Sequence, residues 1–132
     1  MLKLERKIFD LIASHAKEDA PNECCGILTG KGDTVTGHHI ARNMDASPVK
    51  YVMDPRDMLR VEKIADQQGE EIVAFYHSHT HSEAYPSPTD VRQATWPDQY
   101  YLIVSLREPL NPVLRAFKIQ NGKIAEEQID LQ

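Results

Sequence analysis

The sequence predicts an α+β fold, a mixed and mainly antiparallel sheet with flanking helices. Three observations point there: one helix-periodic segment near the N-terminus, a series of short apolar runs bounded by Gly, Pro, Asn and Asp, and two proline-led helix starts set between such runs. At 132 residues the chain fits one domain, residues 1–132. It is too short for two ordinary hydrophobic cores.

Leu4, Ile8, Leu11 and Ile12 recur at helical spacing with charged residues between them, so Leu2 to Asp19 is expected as an amphipathic helix lying on the sheet. His15 extends its apolar face and reads as packing. After Pro21 and Asn22, Cys24 to Thr29 is a strand, and Gly30-Lys31-Gly32-Asp33 turns into a second strand from Thr34 to about Ala41. Asn43 to Pro48 is a polar connection that leads to a short strand from Val49 to Met53. There the period changes: Asp54 as cap, Pro55 at the first helical position and Asp57 in the first turn start a helix that runs to Gly69.

In Glu71 to His79, Ile72, Ala74 and Tyr76 face one side while Val73 and Phe75 face the other. A strand apolar on both faces is buried within a sheet. Thr80 to Pro86 is a polar loop, and Ser87-Pro88-Thr89-Asp90 opens a second helix that ends before Pro97. Tyr100 to Leu106 is strand-like, and Val113 to Ile119 pairs with Lys123 to Ile129 around the hairpin turn Asn121-Gly122.

Composition excludes several function classes. Against 15 Lys and Arg stand 20 Asp and Glu, a net charge of −5, which leaves no basic stripe for a phosphate backbone or an anionic membrane. Neither nucleic acid nor membrane is an expected partner. Lys3, Glu5, Arg6 and Lys7 break up the first residues, so no secretory core or membrane span is expected there and the expected location is cytoplasmic. The two cysteines, Cys24 and Cys25, are adjacent, which suits small buried side chains in a reducing compartment rather than a disulfide framework.

His77 and His79 end the most apolar strand. Residues two apart on a strand share a face, with Cα atoms about 6 to 7 Å apart. Two imidazoles so placed can chelate a metal with Zn–N bonds of about 2.0 to 2.1 Å once a third ligand arrives from another element. Asp90 is the candidate, and three protein ligands leave a fourth position for water, as hydrolytic sites require. The same residues have a plainer explanation: a histidine pair at a strand end, and a serine cap followed by proline and an acidic first turn, a grammar repeated at Asp54 to Asp57. The two roles are compatible, because a helix's first turn holds Asp90 rigidly and would place the Ser87 hydroxyl beside the open position, available to a developing oxyanion. His81 would make a three-histidine site if the strand continued. Glu83 reads as a solvated loop carboxylate, His38 and His39 point to opposite faces, and position alone leaves Glu23 a solvated carboxylate at a strand boundary.

Glu23, then His77-Ser78-His79, seven intervening residues, Ser87, two more and Asp90, together resemble the JAMM motif of the MPN+ (Mov34/PAD-1) zinc metalloprotease family. The flanks agree: Pro21-Asn22-Glu23-Cys24-Cys25-Gly26-Ile27-Leu28 resembles the family's glutamate-bearing strand, and Tyr51-Val52-Met53-Asp54-Pro55 its lead into the second helix. The similarity covers Leu2 to about Leu106. It implies one MPN-like domain in a cytidine-deaminase-like arrangement. It also implies one zinc held by His77, His79 and Asp90 with a water in the fourth place, Glu23 as general base, and Ser87 as the hydroxyl that steadies the tetrahedral intermediate. Where many members have proline after the second histidine, this chain has Thr80, which bears on loop geometry.

The resemblance further implies hydrolysis of a peptide or isopeptide bond at the Gly-Gly tail of a ubiquitin-like protein. The similarity to the small prokaryotic branch makes a sulfur-carrier protein the specific expectation. An exposed strand edge beside the zinc would bind the tail by strand addition. Other readings stay open: a non-catalytic scaffold domain, a structural zinc protein with a fourth ligand such as His81, and a zinc hydrolase of small amides. The identity of the carrier and the oligomeric state, a homodimer included, are left open by the sequence.

Overall fold

The computed structural model describes residues 1–132. Its elements run β1 (Leu2–Leu4), α1 (Arg6–Asp19), β2 (Cys25–Lys31), β3 (Thr34–Ala41), α2 (Pro55–Gln67), β4 (Glu71–His79), α3 (Pro88–Gln93), β5 (Tyr100–Ser105), β6 (Val113–Gln120), β7 (Lys123–Glu127) and β8 (Ile129–Leu131). All eight strands form one sheet in the order β7-β6-β5-β4-β2-β3-β1-β8. Pairing is antiparallel except for β4 with β5 and β1 with β3 and β8. This is the mixed, mainly antiparallel α+β architecture expected.

Because only Gln128 separates β7 from β8, which lie at opposite ends of the strand order, the sheet curls until its two edges approach each other. Helix α1 packs on one face. Ile8, Ile12 and Ala16 meet Leu2, Leu4, Leu28, Tyr76, Leu102 and Val104 in one buried cluster. The other face carries α2 and α3, where Val61 packs with Ile27, Phe75, Tyr101, Ile103 and Phe117, and Met58, Val91 and Trp96 close the rim. Each large aliphatic side chain removed from water in these layers is worth about 1.5–3 kcal/mol. Helix α2 begins as expected, with Asp54 accepting from the Arg56 amide at 2.9 Å and Pro55 first. It ends at Gly69, whose φ of +69° suits a residue without a Cβ.

Four expectations need correction. Leu2 to Leu4 form a strand, not the first turn of the helix, because they pair in register with Ile129 to Leu131. Val49 to Met53 do not form a strand, since their only ladder contact is an isolated bridge between Asn43 and Met53. The final run is two strands, β7 beside β6 and β8 beside β1. The two faces of β4 are also not a simple alternation. Pairing with β2 slips between Leu28 and Thr29, which face Ala74 and Ile72, so Val73 is a bulge and Ile72 joins Phe75 on the α2 side.

Candidate metal centre

Strand β4 lies inside the sheet, its C-terminal half paired with β2 on one side and β5 on the other, so Cys25 faces His77 and Ser105 faces His79 in the ladders. An exposed strand edge was expected beside the metal; β4 is paired on both sides as far as His77 and with β5 alone at His79. The open edges are β7 and β8. What β4 supplies is rigidity: both histidines project from the end of a strand held inside the sheet, and both are buried.

Helix α3 places the third group. Ser87 caps it by accepting from the Asp90 amide at 3.1 Å, while the Asp90 carboxylate accepts from the Ser87 amide at 2.9 Å. This reciprocal pairing fixes Asp90 so that its Oδ2 lies 3.1 Å from His77 Nε2 and 3.0 Å from His79 Nε2. The two imidazole nitrogens are 3.2 Å apart. The sequence thus brings together, from two separate elements, three ligand atoms that converge on one point and could hold a metal ion. Zn–N bonds of about 2.0–2.1 Å in a tetrahedron set ligand atoms about 3.3–3.4 Å apart. The observed triangle is within a few tenths of an ångström of that face, so the residues fit such an ion.

The charge state of the cluster follows from burial and from one carboxylate shared by two rings. Burial would raise Asp90, yet hydrogen bonds from His77 and His79 hold it well below the usual carboxylate range. Burial would lower His79, but Asp90 and the Glu83 carbonyl outweigh it and its pKa rises. For His77, burial wins and its pKa falls. The Glu83 carbonyl accepts from His79 Nδ1 at 2.8 Å, which fixes the tautomer and leaves Nε2 as the ligand atom. His77 Nδ1 is buried with no hydrogen-bond partner. Its ring is instead stacked by Tyr51, centroids 4.5 Å apart and planes 24° from parallel.

Glu23 is not solvated, as position alone suggested: it is 4% exposed, and its Oε1 is buried without a hydrogen-bond partner. Burial pushes its pKa up to about 7, with His79 pulling it down and Asp90 pushing it up, so the carboxylate lies within electrostatic reach of the cluster. Ser87 is half-buried, and its oxygen accepts a bond while its proton stays free to donate. The residues not brought in are equally plain. His81 is exposed and outside the cluster. His38 and His15 bond the Tyr76 hydroxyl at 2.8 and 2.6 Å, and His39 bonds Thr29 at 3.0 Å. Burial raises both cysteine thiols, Cys24 to about 12, which makes them poor nucleophiles.

Two contributors escaped the motif: Tyr51, which was visible only as part of the run before Asp54-Pro55, and the backbone of Glu83, for which a side-chain pattern gives no signal. Tyr51 also walls an apolar hollow of about 260 Å³ lined by Val52, Met53, Met58, Phe75 and Trp96. No helix of the chain is long and apolar enough to cross a membrane.

The chain is similar to known proteins in both sequence and fold. The family described as prokaryotic homologs of the JAB domain matches residues 5–120. The chain is 38% identical over 133 residues to a CysO-cysteine peptidase of Mycobacterium tuberculosis, covering 99% of this chain and 91% of that protein. It is 41% identical over 111 residues to a desampylase of Haloferax volcanii, covering 79% of this chain and 80% of that one. A solution structure of a protein from Desulfitobacterium hafniense matches with a TM-score of 0.92 at 38% identity, covering 100% of this chain and 93% of the other. Because the family match spans residues 5–120, most of the chain, the chain belongs to the family of prokaryotic homologs of the JAB domain.

Proposed function

We propose that residues 1–132 act as one zinc-dependent peptidase domain that cuts the amide bond following the Gly-Gly tail of a ubiquitin-like sulfur-carrier protein. The chain is a hydrolase by relation to proteins named peptidases over nearly its whole length. The finer assignment draws its main support from one observation: the convergence of His77, His79 and Asp90 to within 3.2 Å of one another, all buried, with a buried Glu23 carboxylate in electrostatic reach.

His77 Nε2, His79 Nε2 and Asp90 Oδ2 would hold the ion. Bound zinc supplies a Lewis acid that acidifies water and polarises a carbonyl. Glu23 takes a proton from the attacking water, a role for which a carboxylate poised near pH 7 is suited, and returns it to the departing amine. The Ser87 hydroxyl donates to the oxyanion of the tetrahedral intermediate, since its lone pair is already engaged by the Asp90 amide and its proton is not. The amide C–N bond breaks, leaving a carboxylate on the tail and a free amine on the leaving group. The hollow is walled by Tyr51, whose ring stacks on His77, and it would receive an apolar side chain of the tail.

A relative named for cleaving CysO from cysteine favours a carrier protein bearing a single added residue as substrate. The exposed position of His81 argues against a closed, purely structural four-ligand site. The deciding experiment incubates the purified chain with carrier proteins ending in Gly-Gly plus one further residue and follows intact mass. Loss of that residue, blocked by a chelator and restored by zinc, is the expected result. Turnover of free small amides alone would replace the reading with that of a small-amide hydrolase, and zinc binding without any turnover would favour a scaffold.

A further inference from the structure

The four hydrogen bonds available to an asparagine amide are all made by Asn43. Its Nδ2 donates to the Glu23 carbonyl at 3.0 Å and to the Lys50 carbonyl at 3.1 Å. Its Oδ1 accepts from the Asp45 amide at 3.1 Å and from the Val52 amide at 3.0 Å. The side chain therefore grips the peptides on both sides of Tyr51, and with the same group it holds the backbone of Glu23. The segment that carries Tyr51 belongs to no helix or strand, and its ladder pairing is limited to the isolated bridge between Asn43 and Met53. Apart from the Asn43 side chain, backbone bonds tie it down at its ends: from Met44 to the Val52 carbonyl and from Glu23 to the Ser47 carbonyl, both 2.8 Å, and from Asp54 to the Arg42 carbonyl, 3.0 Å.

What Tyr51 does for the site follows from the asymmetry of the two histidines. His79 is oriented by a hydrogen bond through Nδ1. His77 has no such bond, and the face of its ring lies against Tyr51. A metal-binding imidazole needs its second nitrogen or its ring plane held, and here the aromatic face does the second.

We propose that Asn43 and Tyr51 are positioning residues of the metal centre: Tyr51 sets the ring plane of His77, and the Asn43 amide sets Tyr51 and the backbone of Glu23 together. The base and one metal ligand are thereby registered to each other through a residue that touches neither the metal nor the substrate. This inference rests on the peptidase reading above for its kinetic part only.

The test uses the full chain with Tyr51→Ala, Tyr51→Phe, Asn43→Ala and Asn43→Asp. Zinc affinity is measured by competition with a chromophoric chelator, loop order by amide hydrogen exchange, and kcat and KM on the cleaved carrier. Tyr51→Phe keeps the ring and binds zinc as the parent does. Tyr51→Ala and Asn43→Ala bind it about 10-fold more weakly or worse, the range expected when support for a ligand is removed. In Asn43→Ala the Asp45 and Val52 amides lose protection while those of β4 and β5 keep theirs, and kcat falls about 10- to 100-fold with KM within about twofold. Asn43→Asp retains the acceptor and releases the Glu23 and Lys50 carbonyls. It lowers kcat while sparing protection at Asp45 and Val52, and it carries the test should the alanine variant fail to fold. Parent-like zinc affinity in Tyr51→Ala, or parent-like kcat in Asn43→Asp, overturns the proposal. A parent chain that binds zinc but cleaves no carrier defeats the peptidase reading instead, and the affinity and exchange arms still decide the positioning roles.

Discussion

Ser87 and Asp90 hold each other: the Ser87 amide donates to Asp90 Oδ2 at 2.9 Å, and the Asp90 amide donates to Ser87 Oγ at 3.1 Å. A helix cap and two proposed functional groups are thus one structural unit. Ser87→Ala is expected to lower kcat about 10²- to 10³-fold, the cost of removing one oxyanion donor. The lost cap should also lower stability by about 1 kcal/mol. Ser87→Thr, which restores both the cap and the hydroxyl, should recover most of each loss. Kinetics and thermal melts of the two variants side by side check this.

The ligand set predicts metal content directly. The purified chain should carry about one zinc, and His77→Ala or Asp90→Ala should remove it, because two side chains do not hold the ion at the affinity of three. Elemental analysis after dialysis is the measurement. His81→Ala, altering an exposed residue outside the cluster, should leave the zinc in place.

Glu23→Gln should keep zinc and fold while abolishing hydrolysis, since an amide cannot accept the proton. In the metal-free protein the same variant has a second signature. Burial raises the Glu23 pKa from 4.5 to about 7, so the folded state holds this proton more tightly than the unfolded state. The benefit is complete below pH 4.5 and is lost as pH rises through 7, a loss of about 3 kcal/mol. The stability of Glu23→Gln relative to the parent should therefore climb between pH 4.5 and 7 and then level off. Denaturant titrations of the two metal-free proteins across that range provide the comparison.

Gly26 is paired with Tyr76 across β2 and β4, and a Cβ built there would overlap the Tyr76 ring. That ring is fully buried and its hydroxyl is held between His15 and His38, so it has nowhere to move. Gly26→Ala should destabilise the fold by about 3 kcal/mol, the upper end for overpacking. It should also weaken zinc binding, because Tyr76 directly precedes His77. Urea midpoints and zinc titration would register both effects.

Much of this arrangement is legible in the sequence, and the illegible parts share a cause. The period-2 projection of His77 and His79, and the cap grammar from Ser87 to Asp90, are local rules, and the structure obeys them. Thr34 to Ala41 and Glu71 to His79 have the expected limits because alternation and turn residues bound them. What failed depended on distant partners. Leu2 and Leu4 suit a helix or a strand equally, and only Ile129 to Leu131 decide between them. Val49 to Met53 have strand composition but no neighbouring strand, and a side-chain amide holds them instead. The bulge at Val73 comes from a register slip against β2, and the backbone of the buried Glu23 is bonded by Asn43 and Ser47, about 20 residues further along the chain.

The side-by-side placement of β1 and β8 has a consequence for how the molecule is made. Leu2 to Leu4 have β3 near in sequence on one side, but their other parallel partner, residues 129–131, lies far along the chain, so their pairing cannot be completed until that distant segment arrives. Such long sequence separation slows the search for the native state, and the apolar pair Leu2 and Leu4 stays uncovered on that side until the distant strand docks. Sealing of the curled sheet is thereby expected as a late event in folding.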